Sequence, residues 1–353
     1  MRPRQSYFTL ATLAPVALLA GATLFGGVWI ALALAYLTLF TAALDMIIAQ
    51  GEDPNAPASE FPAADKLLIC LGVAHFALLG LAVHALSGAA TFSPLGRAGL
   101  FLAFVLYFGQ VSNSAAHELI HRTQRLPFRL GKWIYISLLF GHHTSAHRLV
   151  HHRWVGCDED PNTPALGESF YAFVPRAWVG SFTAGYEMER GRLSGQPPLL
   201  RMLRNPYATY VAGGLAFCGM ALLIGGLAGL FTYLPLAFFS QMQLLQSDYV
   251  QHYGLRRARD ADGEPLPVSA LESWNSPHWA SGLLMLHAPR HSDHHMHPAT
   301  QYPALTLPPA EAAPMLPYPL PVMAALALAP RRFRRLMDTR AKAWHARSAE
   351  MPS

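Results

Sequence analysis

The chain has 353 residues, 52% of them apolar and only 13% charged, about half the charge of an ordinary soluble protein. So few charges cannot cover the surfaces of the two or three soluble domains this length would otherwise suggest, and so much apolar content excludes a disordered chain. Three cysteines, Cys70, Cys157 and Cys218, lie too far apart for a disulfide framework or a CxxC ribbon, whereas 17 histidines stand against 21 acidic residues.

Charge-free runs give the expected elements in chain order. Forty residues without Asp, Glu, Lys or Arg separate Arg4 from Asp45, 30 separate Lys66 from Arg97, 20 separate Arg97 from Glu118, and 43 separate Arg204 from Asp248. One helix needs about 20 residues to cross a ~30 Å apolar core. The first and last runs are therefore two spans each, turning at Gly26-Gly27 and Gly225-Gly226, and the middle pair turns at Ser93-Pro94-Leu95-Gly96. The expectation is an all-α integral membrane protein, a single domain over 1–353. Its six spans, in three hairpins, fall near 9–26, 29–48, 67–87, 98–117, 207–226 and 231–250. A secretory signal peptide, with Arg2 and Arg4 before a cleavage site near Ala20-Gly21-Ala22, is the rival reading of the start. The uninterrupted continuation to Leu44 favours the hairpin.

With the N-terminus in the cytoplasm, Arg97 alone of the 26 Lys and Arg residues falls on the far side, so the positive-inside rule predicts cytoplasmic N- and C-termini. The bacterial-type inner membrane is the expected location. By parity the segments 118–205 and 251–353 form a cytoplasmic, histidine-rich helical cap. Within it, 303–321 is proline-rich and irregular, and 320–329 is too short to cross. The net charge of +5 belongs to that face. No internal repeat and no basic–aromatic module for nucleic acid occurs.

Seven histidines fall within 117–152 (His117, His121, His142, His143, His147, His151 and His152) and five within 287–297 (His287, His291, His294, His295 and His297), with His252 just after the sixth span. In an α-helix, residues four apart share a face. His117 and His121, His147 and His151, and His291 and His295 have that spacing. Neutral imidazole favours Fe, Zn, Cu and Ni over Mg or Ca, and three such clusters at one membrane level point to metal. His75 and His84 lie within the third span, where internal hydrogen bonds would satisfy them. His278, His287, His297 and His345 read as outer or surface residues, and His142 and His143 as either. His117-Glu118-Leu119-Ile120-His121 is also literally HExxH, the metalloprotease signature. A protease needs three protein ligands and leaves the other clustered histidines without a use. A histidine-rich transporter would hold its ligands near the bilayer midplane, not at span ends.

The boxes His117-Glu-Leu-Ile-His121, His147-Arg-Leu-Val-His151-His152 and His291-Ser-Asp-His294-His295 resemble those of the membrane-bound non-haem di-iron desaturases and hydroxylases. Asp248-Tyr249-Val-Gln251-His252-Tyr253-Gly254-Leu255 and Arg290-His291-Ser292-Asp293-His294-His295 narrow the likeness to the alkane 1-monooxygenase (AlkB-type) family. Gly167–Tyr171, Trp274-Asn275-Ser276, and the tail from Pro314-Met-Leu-Pro317 to Leu336-Met337-Asp338 are further similar stretches. The resemblance implies a terminal hydroxylase of medium- or long-chain alkanes or similar apolar substrates. It implies two Fe held by His117, His121, His147, His151, His152, His252, His291, His294 and His295. A fatty acid desaturase or an alkene-forming decarboxylase is the alternative. The family usually carries Glu where this chain has Ala146 and Gln251. If these are lost outer carboxylates, both should accept Glu, Gln251→Glu with little effect or a gain. Glu118, Asp248, Gln251, Asp293 and the run Asp158-Glu159-Asp160, Asp160 included, are the remaining candidates to stand behind the ligands.

Without a CxxC pair, a GxGxxG fingerprint or a haem motif, electrons must come from outside. The resemblance implies rubredoxin or ferredoxin with an NAD(P)H-dependent reductase, and O₂ as co-substrate. The basic stretches Arg256-Arg257-Ala-Arg259 and Arg331-Arg332-Phe-Arg334-Arg335 are expected either to dock such a donor or to meet anionic lipid. Tyr36, Phe40 and Phe76 are candidates for the blind end of a substrate channel.

Overall fold

The computed structural model describes residues 5–48, 64–89 and 92–348. Among them every extended element is helical, and β-pairing is limited to two isolated bridges. Five helices are long and apolar enough to cross a membrane: α1 (Gln5–Phe25), α2 (Val28–Ile47), α3 (Ala64–Gly88), α4 (Pro94–Ile120) and a long element, Pro206–His252. That last helix is broken where the glycines stand. Gly226 takes a positive φ of 60°, and a Cβ placed on Gly229 would lie 2.2 Å from the Ala221 carbonyl oxygen. In a straight helix residues eight apart are separated by about 12 Å. The chain therefore doubles back, giving two arms, α9 (206–224) and α10 (227–252), once the intervening cap helices α5 to α8 are numbered.

The first turn also falls where expected, with Gly26 and Gly27 at φ 60° and 49°. The middle turn does not. Ser93 is the N-cap of α4, accepting from the Gly96 amide at 3.1 Å, and Pro94-Leu95-Gly96 form its first helical turn. The reversal precedes them, and residues 90–91 lie outside the described segments. The helix α1 runs through the suggested cleavage position, and its Phe8, fully buried, packs edge-on to His287 and Tyr302 of the cap.

The cap begins with α5 (Arg125–Ser137) and continues through α6 (143–154), α7 (Phe170–Arg192) and α8 (Pro198–Arg204). After α10 come α11 (Trp279–Leu284), α12 (His291–Met296), α13 (Leu320–Ala327) and α14 (Pro330–Ser348). As expected, 303–319 has almost no regular structure, and the short α13 lies against the long element Pro206–His252. Phe333, Met337, Ala341 and Trp344, spaced at three or four residues, are the buried stripe of α14. Phe333 seats this helix on Tyr249 and Tyr253 at the end of α10.

Polar clamps fasten cap to spans. The Asp45 carboxylate accepts from the Ala280 and Ser281 amides at 2.7 and 3.1 Å, holding α11 by its N-terminus, where negative charge is stabilising. Arg122 bridges Asp65 and Glu118 at 3.0 and 3.1 Å, and Glu118 also accepts from the Tyr302 amide at 3.1 Å. Within the bundle, Asn113 donates to the Ser240 carbonyl, Gln241 to Leu138 and Tyr233 to Ser137. Such interhelical bonds align helices whose apolar faces cannot tell one another from lipid. Phe40 is 49% exposed and leans on Tyr36, the position of an outward ring and not of a channel end. Tyr36 itself donates to the Ala11 carbonyl, and Phe76 stacks on Phe217.

Candidate metal centre

Four helix ends converge. The end of α4 supplies His117 and His121, α6 supplies His147, His151 and His152, the last residue of α10 is His252, and α12 supplies His291, His294 and His295. Their approach is directed locally. Asn275, fully buried, accepts from the Ser292 amide at 3.0 Å and donates to its hydroxyl at 2.7 Å, which fixes the start of α12. The tail segment 314–316 pairs with the same residue, the Asn275 amide donating to the Pro314 carbonyl and the Leu316 amide to the Asn275 carbonyl. The end of α10 is held by Tyr249, which donates to the Glu168 carbonyl, and by Tyr253, whose oxygen accepts from the Gly167 amide. The stretches around 167–171 and 314–317 thus act on the histidines through their backbones, and 274–276 through the Asn275 side chain as well.

The imidazoles form two clusters. His117, His121, His147 and His294 make one, and His151, His252, His291 and His295 the other, the candidate ligand nitrogens of each lying within 4.8 Å of one another. His152 stands between them. Its Nε2 is 3.0 Å from His147 Nε2 and 3.1 Å from His294 Nε2, while its ring lies 4.5 Å from that of His295. All nine expected ligands are therefore brought together. The spacing argument fails for one pair. His147 and His151 fall in different clusters although their rings lie 5.2 Å apart, and the segment 147–151 is a π-turn. Inserted π-turns recur at functional sites; here adjacent rings of α6 serve both clusters.

Hydrogen bonding among the rings cannot account for these contacts. His117, His147, His152 and His294 form a row of Nε2 atoms at 2.9, 3.0 and 3.1 Å. Each ring nitrogen either carries one proton or offers one lone pair, so four atoms in a row satisfy at most two of three contacts. The row His252, His291, His295, at 3.0 and 3.1 Å, satisfies one of two. His121 Nε2 and His151 Nε2 are buried with no partner at all. Converging lone pairs without donors fit a cation in each cluster, and all-imidazole sets suit iron, zinc or copper. Burial, reinforced by neighbouring imidazoles, holds His121, His147, His152, His291, His294 and His295 well below the usual histidine pKa, hence in the neutral form that ligates. His151 is the exception. Burial opposes its charge, but Asp160 outweighs that and raises its pKa.

Of the side chains expected behind the ligands, Asp160 makes the contact, its carboxylate 2.8 Å from His151 Nδ1. Asp160 is fixed in turn by Thr163 Oγ1 at 2.7 Å and the Asn162 amide at 3.0 Å. The others have different partners. Glu118 is engaged by Arg122 and Tyr302, which also removes it from the role of a metalloprotease base. Asp248 accepts from Asn162, and Asp293 from Thr306 and the outlying His297. Gln251 donates its amide to the Ala288 carbonyl at 3.1 Å, so a carboxylate there would face a carbonyl oxygen. The expectation that Gln251→Glu is harmless is revised accordingly. His252 is oriented instead by the Glu272 backbone carbonyl, 3.0 Å from its Nδ1, a partner no side-chain motif announces.

His142 and His143 belong to neither cluster. The first packs on Phe140, Trp178 and Phe182, and the second stacks on Phe140 and His147. His75 donates to Ser137, His287 to the Tyr302 carbonyl and His345 to the Gly254 carbonyl; His278 bonds Ser276, and His84 is exposed. The two basic stretches also separate. Arg256 pairs with Asp158 and Arg259 with Glu159, so of the Asp158–Asp160 run only Asp160 turns toward the histidines. Arg331, Arg332 and Arg335 lie exposed on α14.

A family model described as fatty acid desaturase matches residues 91–325. Alkane 1-monooxygenase 1 of Alcanivorax borkumensis is 34% identical over 255 residues, 69% of this chain and 61% of the relative. An alkane 1-monooxygenase of Ectopseudomonas oleovorans is 31% identical over 302 residues, 83% of this chain and 74% of that protein. The xylene/toluene monooxygenase hydroxylase component of Pseudomonas putida is 30% identical over 233 residues, 64% of this chain and 59% of its own length. The match thus spans about three-fifths of the length of the first of these relatives.

Proposed function

Because the chain belongs to the fatty acid desaturase family, with the alkane 1-monooxygenases among its relatives, we propose that it is a membrane monooxygenase. It inserts one atom of O₂ into a terminal C–H bond of an alkane or similar apolar molecule, giving a primary alcohol. The observation that carries this reading is the pair of four-imidazole clusters joined by His152. Two irons bound there would supply the oxidising power that breaking an unactivated C–H bond requires and that no side chain provides.

The chain's own residues do the rest. His117, His121, His147 and His294 would hold one ion, and His151, His252, His291 and His295 the other, with His152 between. Asp160 keeps the His151 Nδ1 proton in place, so that the Nε2 lone pair faces the ion. The membrane reading has six spans, α9 and α10 counted separately, with both termini and the cap in the cytoplasm of an inner membrane. Apolar substrate then reaches the ligand-bearing helix ends from the lipid. Electrons come from rubredoxin or ferredoxin through an NAD(P)H-dependent reductase. A second substrate class, the methyl group of an alkylbenzene, is favoured by the xylene/toluene relative.

The test is product analysis in cells that supply rubredoxin and its reductase, fed n-alkanes, fatty acids and alkylbenzenes under ¹⁸O₂. A primary alcohol carrying one labelled oxygen is expected. An unlabelled alkene would instead assign the chain to desaturation or decarboxylation.

A further inference from the structure

Beside the second histidine box lies a cleft of about 460 Å³, a volume typical of small-ligand sites. Its walls carry four cations, Lys132, Arg148, Arg192 and Arg204, and one carboxylate, Glu189. Glu189 is already engaged: it accepts from Ser145 Oγ at 2.7 Å and lies 3.3 Å from Arg192. Among the described residues Arg204 reaches only the neutral Gln196, at 3.3 Å. Among the described residues neither Lys132 nor Arg148 has a carboxylate within ion-pair distance, and the Arg148 guanidinium sits over the Phe128 ring at 5.0 Å. The cleft also borders Thr144, 2% exposed, whose hydroxyl has no hydrogen-bond partner. Like charges gathered around an unused donor are stabilised by an anion.

The surroundings indicate which anion. Pro206, on the rim, begins the apolar arm α9, and the preceding α8 exposes Leu199, Met202 and Leu203 at 64, 61 and 61% beside Arg201 and Arg204. Exposed apolar side chains next to arginines suit the headgroup layer of a bilayer. We propose that the cleft binds the phosphate of an anionic phospholipid, whose acyl chains lie over α8. The leaflet, cytoplasmic, rests on the orientation proposed above. Arg148 lies between His147 and His151, so a phosphate held there also steadies the helix that serves both clusters.

The test is lipid retention by the full chain. Protein from nanodiscs of phosphatidylcholine with phosphatidylglycerol is moved to detergent, and bound lipid is counted by native mass spectrometry. The wild type should keep one phosphatidylglycerol, and Lys132→Gln/Arg204→Gln should lose retention roughly thirtyfold, the effect of two membrane-facing cations. The charge-preserving Lys132→Arg/Arg204→Lys should keep the lipid, which separates charge from folding. Equal retention by the neutralised variant overturns the proposal. Displacement by millimolar inorganic phosphate would make this a free-anion site, and loss of an acidic protein's binding without loss of lipid would make it a protein contact; either also overturns it. A reporter fused near Ser93 reads the orientation separately: a cytoplasmic signal there sinks the leaflet assignment, whereas unchanged lipid retention sinks the cleft.

Discussion

The cluster of His151, His252, His291 and His295 is buried throughout, and two of its rings are pinned from behind, by Asp160 and by the Glu272 carbonyl. The cluster of His117, His121, His147 and His294 is only partly buried at His117 and His121. Among the described residues no carboxylate is hydrogen-bonded to any of its rings. Outer partners raise ligand basicity and fix ring orientation, and an exposed edge is where a metal site stays open to reactants. One set of nine histidines therefore makes two unequal sites, one braced and one adaptable, sharing His152 as their common wall.

The largest effect should come from removing a ligand, and it should not depend on which site loses it. His117→Ala and His151→Ala should each lower alcohol formation roughly a thousandfold or more if both ions serve one reaction, since groups that act as a unit fail together. Product assays on membranes containing equal amounts of protein decide this. Retention of a tenth of the activity by either variant would mean that its cluster is not part of the centre.

Asp160→Asn probes the bracing itself. It should weaken metal binding by the second cluster about 10–100-fold, measured by chelator competition, and leave the first cluster close to wild type. Glu118→Gln is the matched control, because that carboxylate lies on Arg122 and the Tyr302 amide and not on a ring. Equal losses from both variants would show that the outer carboxylates act on stability and not on the metal.

A smaller effect is expected at Ala146 and Gln251, the two positions where the resemblance implies Glu. Gln251→Glu replaces the donor to Ala288 with an acceptor and should cost about 1–3 kcal/mol of stability. At Ala146 the backbone is so close to α7 that its nitrogen would lie 3.1 Å from a Cβ on Gly185, and Ala146→Glu should cost a similar ~1–3 kcal/mol through overpacking. Thermal unfolding in detergent measures both. A gain in stability or in metal content for Gln251→Glu would restore that position to the ring of partners behind His252.

Much of this was legible in the sequence because it depends on composition over long windows. Charge-free runs locate helices whatever their neighbours do, and glycine pairs mark reversals because glycine takes a positive φ without strain. The convergence of the nine histidines was legible because a membrane chain has little other reason to concentrate imidazoles at span ends. What was not legible depends on single turns and on partners distant in sequence. His147 and His151 serve different clusters although they are neighbours on α6, and no residue spacing announces that or the π-turn between them. Arg256 and Arg259 read as a free basic surface in the sequence, but Asp158 and Glu159, about 100 residues away, pair with them. The brace on His252 is a backbone carbonyl, which leaves no trace in residue identity.

The central claim is that two ions occupy two sites of unequal support, and metal content tests it most directly. Purified wild-type chain should contain two Fe, and Asp160→Asn, dialysed against a chelator matched to the weaker site, should fall to one Fe and keep its helical circular dichroism. A wild type holding a single ion per chain would contradict the account. So would an Asp160→Asn protein that loses both ions together.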